Sequence, residues 1–145
     1  MYLDSELLFT GAAGQAVVNI GATASTDHVD TLAAGDAISP GARVIARIFT
    51  QYTDAGGGTI IASLQTCAEN TFAAPTTIAT GPTITIAAGA ATAAGAPGVV
   101  LLDSVIPAGA LEFLRLVFTL SAALDAGAVE GFIALDSDKL MDRGL

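Results

Sequence analysis

Apolar and polar side chains alternate with a period of two through several short stretches of the chain. In residues 112–120, Leu114, Leu116, Phe118 and Leu120 fall on one side and Arg115 and Thr119 on the other. Successive side chains of an extended backbone point to opposite faces, so this pattern predicts a half-buried β-strand. Residues 59–66 repeat it, with Ile60, Ala62 and Leu64 against Ser63 and Gln65. Residues 127–136 set Val129, Ile133 and Leu135 against Glu130. Residues 43–52 carry apolar side chains on both faces, which predicts a central strand. Shorter strands are predicted at 16–20, 28–32, 76–79, 83–87 and 99–105.

Turn chemistry separates these runs at short intervals: Gly35-Asp36, Pro40-Gly41, Gly56-Gly57-Gly58, Gly81-Pro82, Pro97-Gly98 and Pro107-Ala108-Gly109. The three consecutive glycines lack the lysine and following helix of a phosphate-binding loop and predict a hairpin turn. Alanine favours helix, but in residues 87–95 it is interleaved with Gly and Thr, and the segment reads as a loop between strands. With no long amphipathic helix, the expected fold is all-β: an antiparallel β-sandwich of about eight strands, jelly-roll type. The expected organisation is one domain, with an N-terminal arm over 1–14, the sandwich over 15–136 and a C-terminal tail over 137–145. The arm (Leu3, Leu7, Leu8, Phe9) and the tail (Leu140, Met141, Leu145) both carry apolar side chains. Packing on the chain's own sandwich and docking on neighbouring subunits are both open for them.

Composition sharpens the picture. Of 145 residues, 52% are hydrophobic and only 13% charged, about half the charged fraction of an ordinary domain. Disorder requires the opposite balance. Five basic residues face fourteen acidic ones, for a net charge of -9. Nucleic-acid phosphates and anionic membranes both select basic patches, so neither is an expected partner. The uncharged stretch 70–102 is broken by Pro75, Pro82 and Pro97 and by several glycines, which argues against a spanning helix. The first fourteen residues carry Asp4 and Glu6 and no basic residue, against a secretory signal.

Candidate chemistry is sparse. Cys67 is the sole cysteine and has no basic neighbour in sequence to activate it. It reads as a small buried strand residue, and no disulfide within the chain is possible. His28 is the sole histidine. Ser25, Asp27 and Asp30 lie near it, but no nucleophile-elbow motif is present, and a surface histidine at a strand edge is the expected role. A zinc site lacks ligands, and Asp136-Ser137-Asp138 is the nearest approach to a calcium loop. With no Trp and two Tyr, aromatic platforms for sugars are scarce. The six phenylalanines read as core or interface mass. No cofactor, no metal and no enzymatic activity are expected.

Several phrases nevertheless occur together in a familiar order. Met1-Tyr2-Leu3-Asp4-Ser5-Glu6-Leu7-Leu8-Phe9-Thr10 resembles the opening of the jelly-roll capsid cement (decoration) proteins of tailed bacteriophages. Ala24-Ser25-Thr26-Asp27-His28-Val29-Asp30 resembles that family's next phrase, apart from His28. Leu64-Gln65-Thr66, Phe72-Ala73-Ala74-Pro75-Thr76, Phe113-Leu114-Arg115-Leu116 and Gly131-Phe132-Ile133-Ala134-Leu135 follow in the family's order. The Ala/Gly stretch from 87 to 98 departs from it.

The resemblance implies a structural virion protein on the outer surface of a phage head. Its partner would be the major capsid protein, whose subunits it bridges, and it would self-associate as a dimer or trimer. Leu3, Leu7, Leu8, Phe9, Leu140, Met141 and Leu145 are then the candidate contacts to capsid or sister subunits. Arg43 and Arg115 are candidates for ion pairs across an interface or within a sheet. The competing expectation is a receptor- or carbohydrate-binding module of a virion fibre or tail, which requires a pocket of convergent polar and aromatic groups.

Overall fold

The two cleanest alternating stretches lie side by side at the centre of one sheet. The computed structural model describes residues 8–31, 42–89 and 92–134. Its strands are β1 (Gln15–Ala16), β2 (Gly21–Ala24), β3 (Val29–Asp30), β4 (Arg43–Thr53), β5 (Gly58–Cys67), β6 (Thr76–Thr80), β7 (Ile84–Ile86), β8 (Val100–Val105), β9 (Phe113–Leu120) and β10 (Ala126–Ala134). A short 3-10 turn occupies Ala93–Gly95. Among the described residues, no helix is long and apolar enough to cross a membrane.

The strands form two antiparallel sheets packed into a sandwich. One has the order β1-β10-β4-β8; the other has the order β2-β9-β5-β6, with β3 also on β9 and β7 also on β5. The pairing is nested: β1 with β10, β2 and β3 with β9, β4 with β8, and β5 with β6 and β7. Two further pairings, β10 with β4 and β5 with β9, join these ladders into sheets.

Alternation and burial agree strand by strand. Val44, Ala46 and Ile48 of β4, with Val129 and Ile133 of the adjacent β10, form one buried cluster with Ile60, Ala62 and Leu64 of β5 and Leu114, Leu116, Phe118 and Leu120 of β9 from the other sheet. Each such large side chain contributes about 1.5–3 kcal/mol on leaving water. The strand expected to be central, β4, lies between β10 and β8.

Two expectations change, and one strand is added. Gly56-Gly57-Gly58 is not a hairpin turn, because β4 and β5 belong to different sheets. Both sides of β4 are taken by β10 and β8, so the glycines carry the chain across the sandwich. The strand expected over 16–20 is only Gln15–Ala16. Beyond it the chain leaves the ladder and crosses sheets; Val17 O accepts the Tyr52 hydroxyl and Val18 O accepts Leu124 N. The small residues of β2, Gly21–Ala24, carried no alternation signal and form an edge strand on β9.

Residues 8–10, within the stretch expected as an arm, run along β10. Leu8 bridges Phe132, Phe9 N donates to Gly131 O at 2.8 Å, and Gly131 N donates to the Thr10 hydroxyl at 3.0 Å. The C-terminal tail lies outside the described residues.

Candidate functional site

Of the candidate contacts, only two fall among the described residues. Phe9 is fully buried in the chain's own core, so of the two possibilities left open for it, it takes packing on its own sandwich. Leu8 is half-buried beside β10. Leu3, Leu7, Leu140, Met141 and Leu145 lie outside the described residues. Arg43 pairs with Asp103 of the neighbouring β8 at 2.6 Å, within the sheet. Cys67 is buried.

A groove of about 150 Å³ lies between the β2–β3 loop and the loop that follows β5, lined by Ser25, Thr26, Asp27, His28, Phe72 and Arg115 among others. Its β2–β3 wall is held rigidly. The Gln15 side chain donates to Ala24 O at 2.9 Å and accepts from Thr26 N at 2.7 Å. The Ser25 hydroxyl accepts from Leu116 N and donates to Asp27 O. Asp27 N donates to Phe9 O. In this arrangement the Ser25 hydroxyl donates to the main chain of Asp27.

The opposite wall is built on a strained residue. Phe72 has φ +51, and it is the only described non-glycine residue with positive φ. A bulky side chain in that region costs about 1–3 kcal/mol. The turn is closed by Phe72 N donating to Glu69 O. This conformation places the ring beneath the Arg115 guanidinium, 4.5 Å from the ring centroid. His28 meets the Phe72 and Phe113 rings edge-on, at 5.9 and 5.6 Å between centroids. Arg115 Nε donates to Gln65 Oε1 at 2.9 Å, so the guanidinium plane is fixed from two sides.

A second surface is the outer face of the β1-β10-β4-β8 sheet. Arg43, Ile45, Arg47 and Phe49 of β4 point outward, and Val100, Asp103 and Val105 of β8 lie beside them. Phe49, Val100 and Val105 are 39%, 47% and 50% exposed, large values for apolar side chains. Around them, Arg47 pairs with Glu130 and stacks on Phe132, which is itself buried. The face is a mixture of apolar side chains and satisfied ion pairs.

No group of three or more His, Cys, Asp or Glu that could hold a metal occurs among the described residues. No protein-family model and no curated protein matches the chain. The groove was not visible in the sequence, because its key side chains, His28, Phe72 and Arg115, come from three distant segments. The one local signal was His28 breaking the phrase it stands in.

Proposed function

We propose that the chain is a capsid cement protein, a structural protein that sits on the outer surface of a phage head and bridges major capsid subunits. The observation that carries the proposal is the outer sheet face with exposed Phe49, Val100 and Val105. Interface centres are enriched in aromatic and apolar side chains and depleted of unpaired charge, and on this face the two arginines are already neutralised by Asp103 and Glu130. The nested strand pairing supports a jelly-roll reading of the sandwich, with two Greek keys folded on one another. The order of phrases shared with cement proteins of tailed phages points the same way. A net charge of -9 suits the outside of a shell better than the side facing packaged DNA, where like charges repel. Such a protein works by multivalency: modest contacts to several subunits, tethered through one fold, raise the cost of separating them.

The test is retention on shells. Phe49→Asp combined with Val100→Asp changes two exposed positions outside the buried core, and a circular dichroism spectrum and urea midpoint like the parent's establish that the variant is folded. A cement protein carrying both changes is lost from purified shells; equal retention of variant and parent contradicts the assignment of this face.

The carbohydrate-binding alternative has a polar groove in its favour. Against it, Phe72 is 8% exposed and its ring already carries the Arg115 guanidinium, so no open aromatic platform is left for a sugar ring.

A further inference from the structure

The groove beside His28 carries an inference that does not depend on the cement reading. The chain has five cationic side chains: Arg43, Arg47, Arg115, Lys139 and Arg143. Arg43 and Arg47 are paired with Asp103 and Glu130, and Lys139 and Arg143 lie outside the described residues. Arg115 is therefore the one described cation with no described carboxylate within ion-pair distance, although eight acidic residues are described. Among the described residues, only its Nε has a hydrogen-bond partner, Gln65. Its terminal nitrogens meet no hydrogen-bond acceptor among the described residues; the residue is half-buried, with its guanidinium over the Phe72 ring. A strained backbone at Phe72 maintains that arrangement, and strain of this kind is concentrated where a binding geometry is being held.

We propose that the groove is a carboxylate-binding site that receives an Asp or Glu side chain from a peptide segment of a protein partner. A guanidinium fork matches the two oxygens of a carboxylate and binds them in parallel. A singly charged group is favoured over a phosphate because Asp27 shares the groove with Arg115 and repels a dianion more strongly. The polar side chains of Thr26, Asn70 and Thr71 line the same groove and supply hydroxyl and amide groups for the main chain flanking the acidic residue. His28 touches the Phe72 ring from the side and reports occupancy of the site.

The test uses the imidazole resonances of the intact protein by NMR, which are assigned at once because His28 is the only histidine. The probes are the blocked tripeptide acetyl-Ala-Glu-Ala-amide, its glutamine counterpart, and acetate. The glutamate peptide is expected to shift His28 saturably. The glutamine peptide is expected to bind at least about tenfold more weakly, as loss of a charge-assisted hydrogen-bonded pair requires. Acetate keeps the carboxylate but lacks the flanking main chain, and is expected to bind at least about tenfold more weakly for want of the contacts to Thr26, Asn70 and Thr71. Arg115→Gln is expected to lower the glutamate affinity by a similar factor, with Arg115→Lys intermediate. The comparison of probes on the unaltered protein stands even if an Arg115 variant folds poorly. Equal midpoints for the glutamate and glutamine peptides overturn the site. Equal midpoints for acetate and the glutamate peptide overturn the peptide assignment. Absence of any saturable shift up to about 20 mM peptide overturns both.

Discussion

The ring of Tyr52 lies against the backbone of Gly127, so closely that a Cβ on Gly127 would stand 2.1 Å from Tyr52 Cδ1. Gly127 also has φ +144, a region that side-chain-bearing residues rarely adopt. Space and backbone both exclude a larger residue there. The register of β10 on β4 shifts at this point, between Ala126 and Ala128 and again between Ala128 and Val129. Gly127→Ala should therefore destabilise by at least about 1–3 kcal/mol, from overpacking and backbone strain together. A urea midpoint lowered without a change in slope is the expected result.

The same tyrosine makes stability sensitive to alkali. Its hydroxyl donates to Val17 O at 2.9 Å, and burial pushes the phenol well above the ordinary tyrosine range. The unfolded phenol loses its proton near pH 10, while the folded one keeps it. Above that pH the unfolded state binds fewer protons, so this contribution to stability is complete below about pH 10 and falls as pH rises further. Tyr52→Phe should cost about 1 kcal/mol at neutral pH through the lost hydrogen bond. It should also show a shallower loss of stability between pH 9 and pH 11, read from urea midpoints at each pH.

The two ion pairs of the outer sheet face should differ in weight. Arg43 and Asp103 have side chains 46% and 48% exposed, whereas the Glu130 side chain paired with Arg47 is only 16% exposed. Water screens the first pair, so Asp103→Asn should change stability by less than about 1 kcal/mol. Glu130→Gln leaves Arg47 without its partner in a drier setting and should cost more, on the order of 1–3 kcal/mol. Chemical denaturation of the two variants side by side decides the order.

Thr66 is the buried hydroxyl that ties the end of β5 to the strand beside it. It is 1% exposed, donates to Phe113 O at 3.0 Å and accepts from Leu111 N at 2.7 Å. Thr66→Val keeps the shape and removes both bonds, leaving a backbone donor and a backbone acceptor without that partner. A loss of about 1–3 kcal/mol is expected, with faster amide exchange at Leu111.

The long strands were legible because their inward positions hold large apolar side chains at every second residue. Ile60, Ala62 and Leu64, and Leu114 through Leu120, were read on the correct face for that reason. β2 was not legible, since Gly21, Ala22, Thr23 and Ala24 offer no contrast between faces. Crossovers were also hidden: glycines mark a turn equally well whether the next strand pairs with the last or joins the opposite sheet, and Gly56-Gly57-Gly58 does the latter. Phe132 points to the outer face and is nevertheless buried, with the Arg47 guanidinium over its ring, a contact that alternation alone does not anticipate. The groove was the least legible feature. His28, Phe72 and Arg115 meet only because β3 and β5 both pair with β9, and no local pattern announced the positive φ of Phe72.

The cement proposal is tested most directly by locating the protein in native particles by electron cryo-microscopy and counting its copies. A cement protein should appear in hundreds of copies on the outer face of the head, with the sheet face bearing Phe49, Val100 and Val105 against capsid subunits. A handful of copies at a tail or vertex, or absence from the shell altogether, would contradict it.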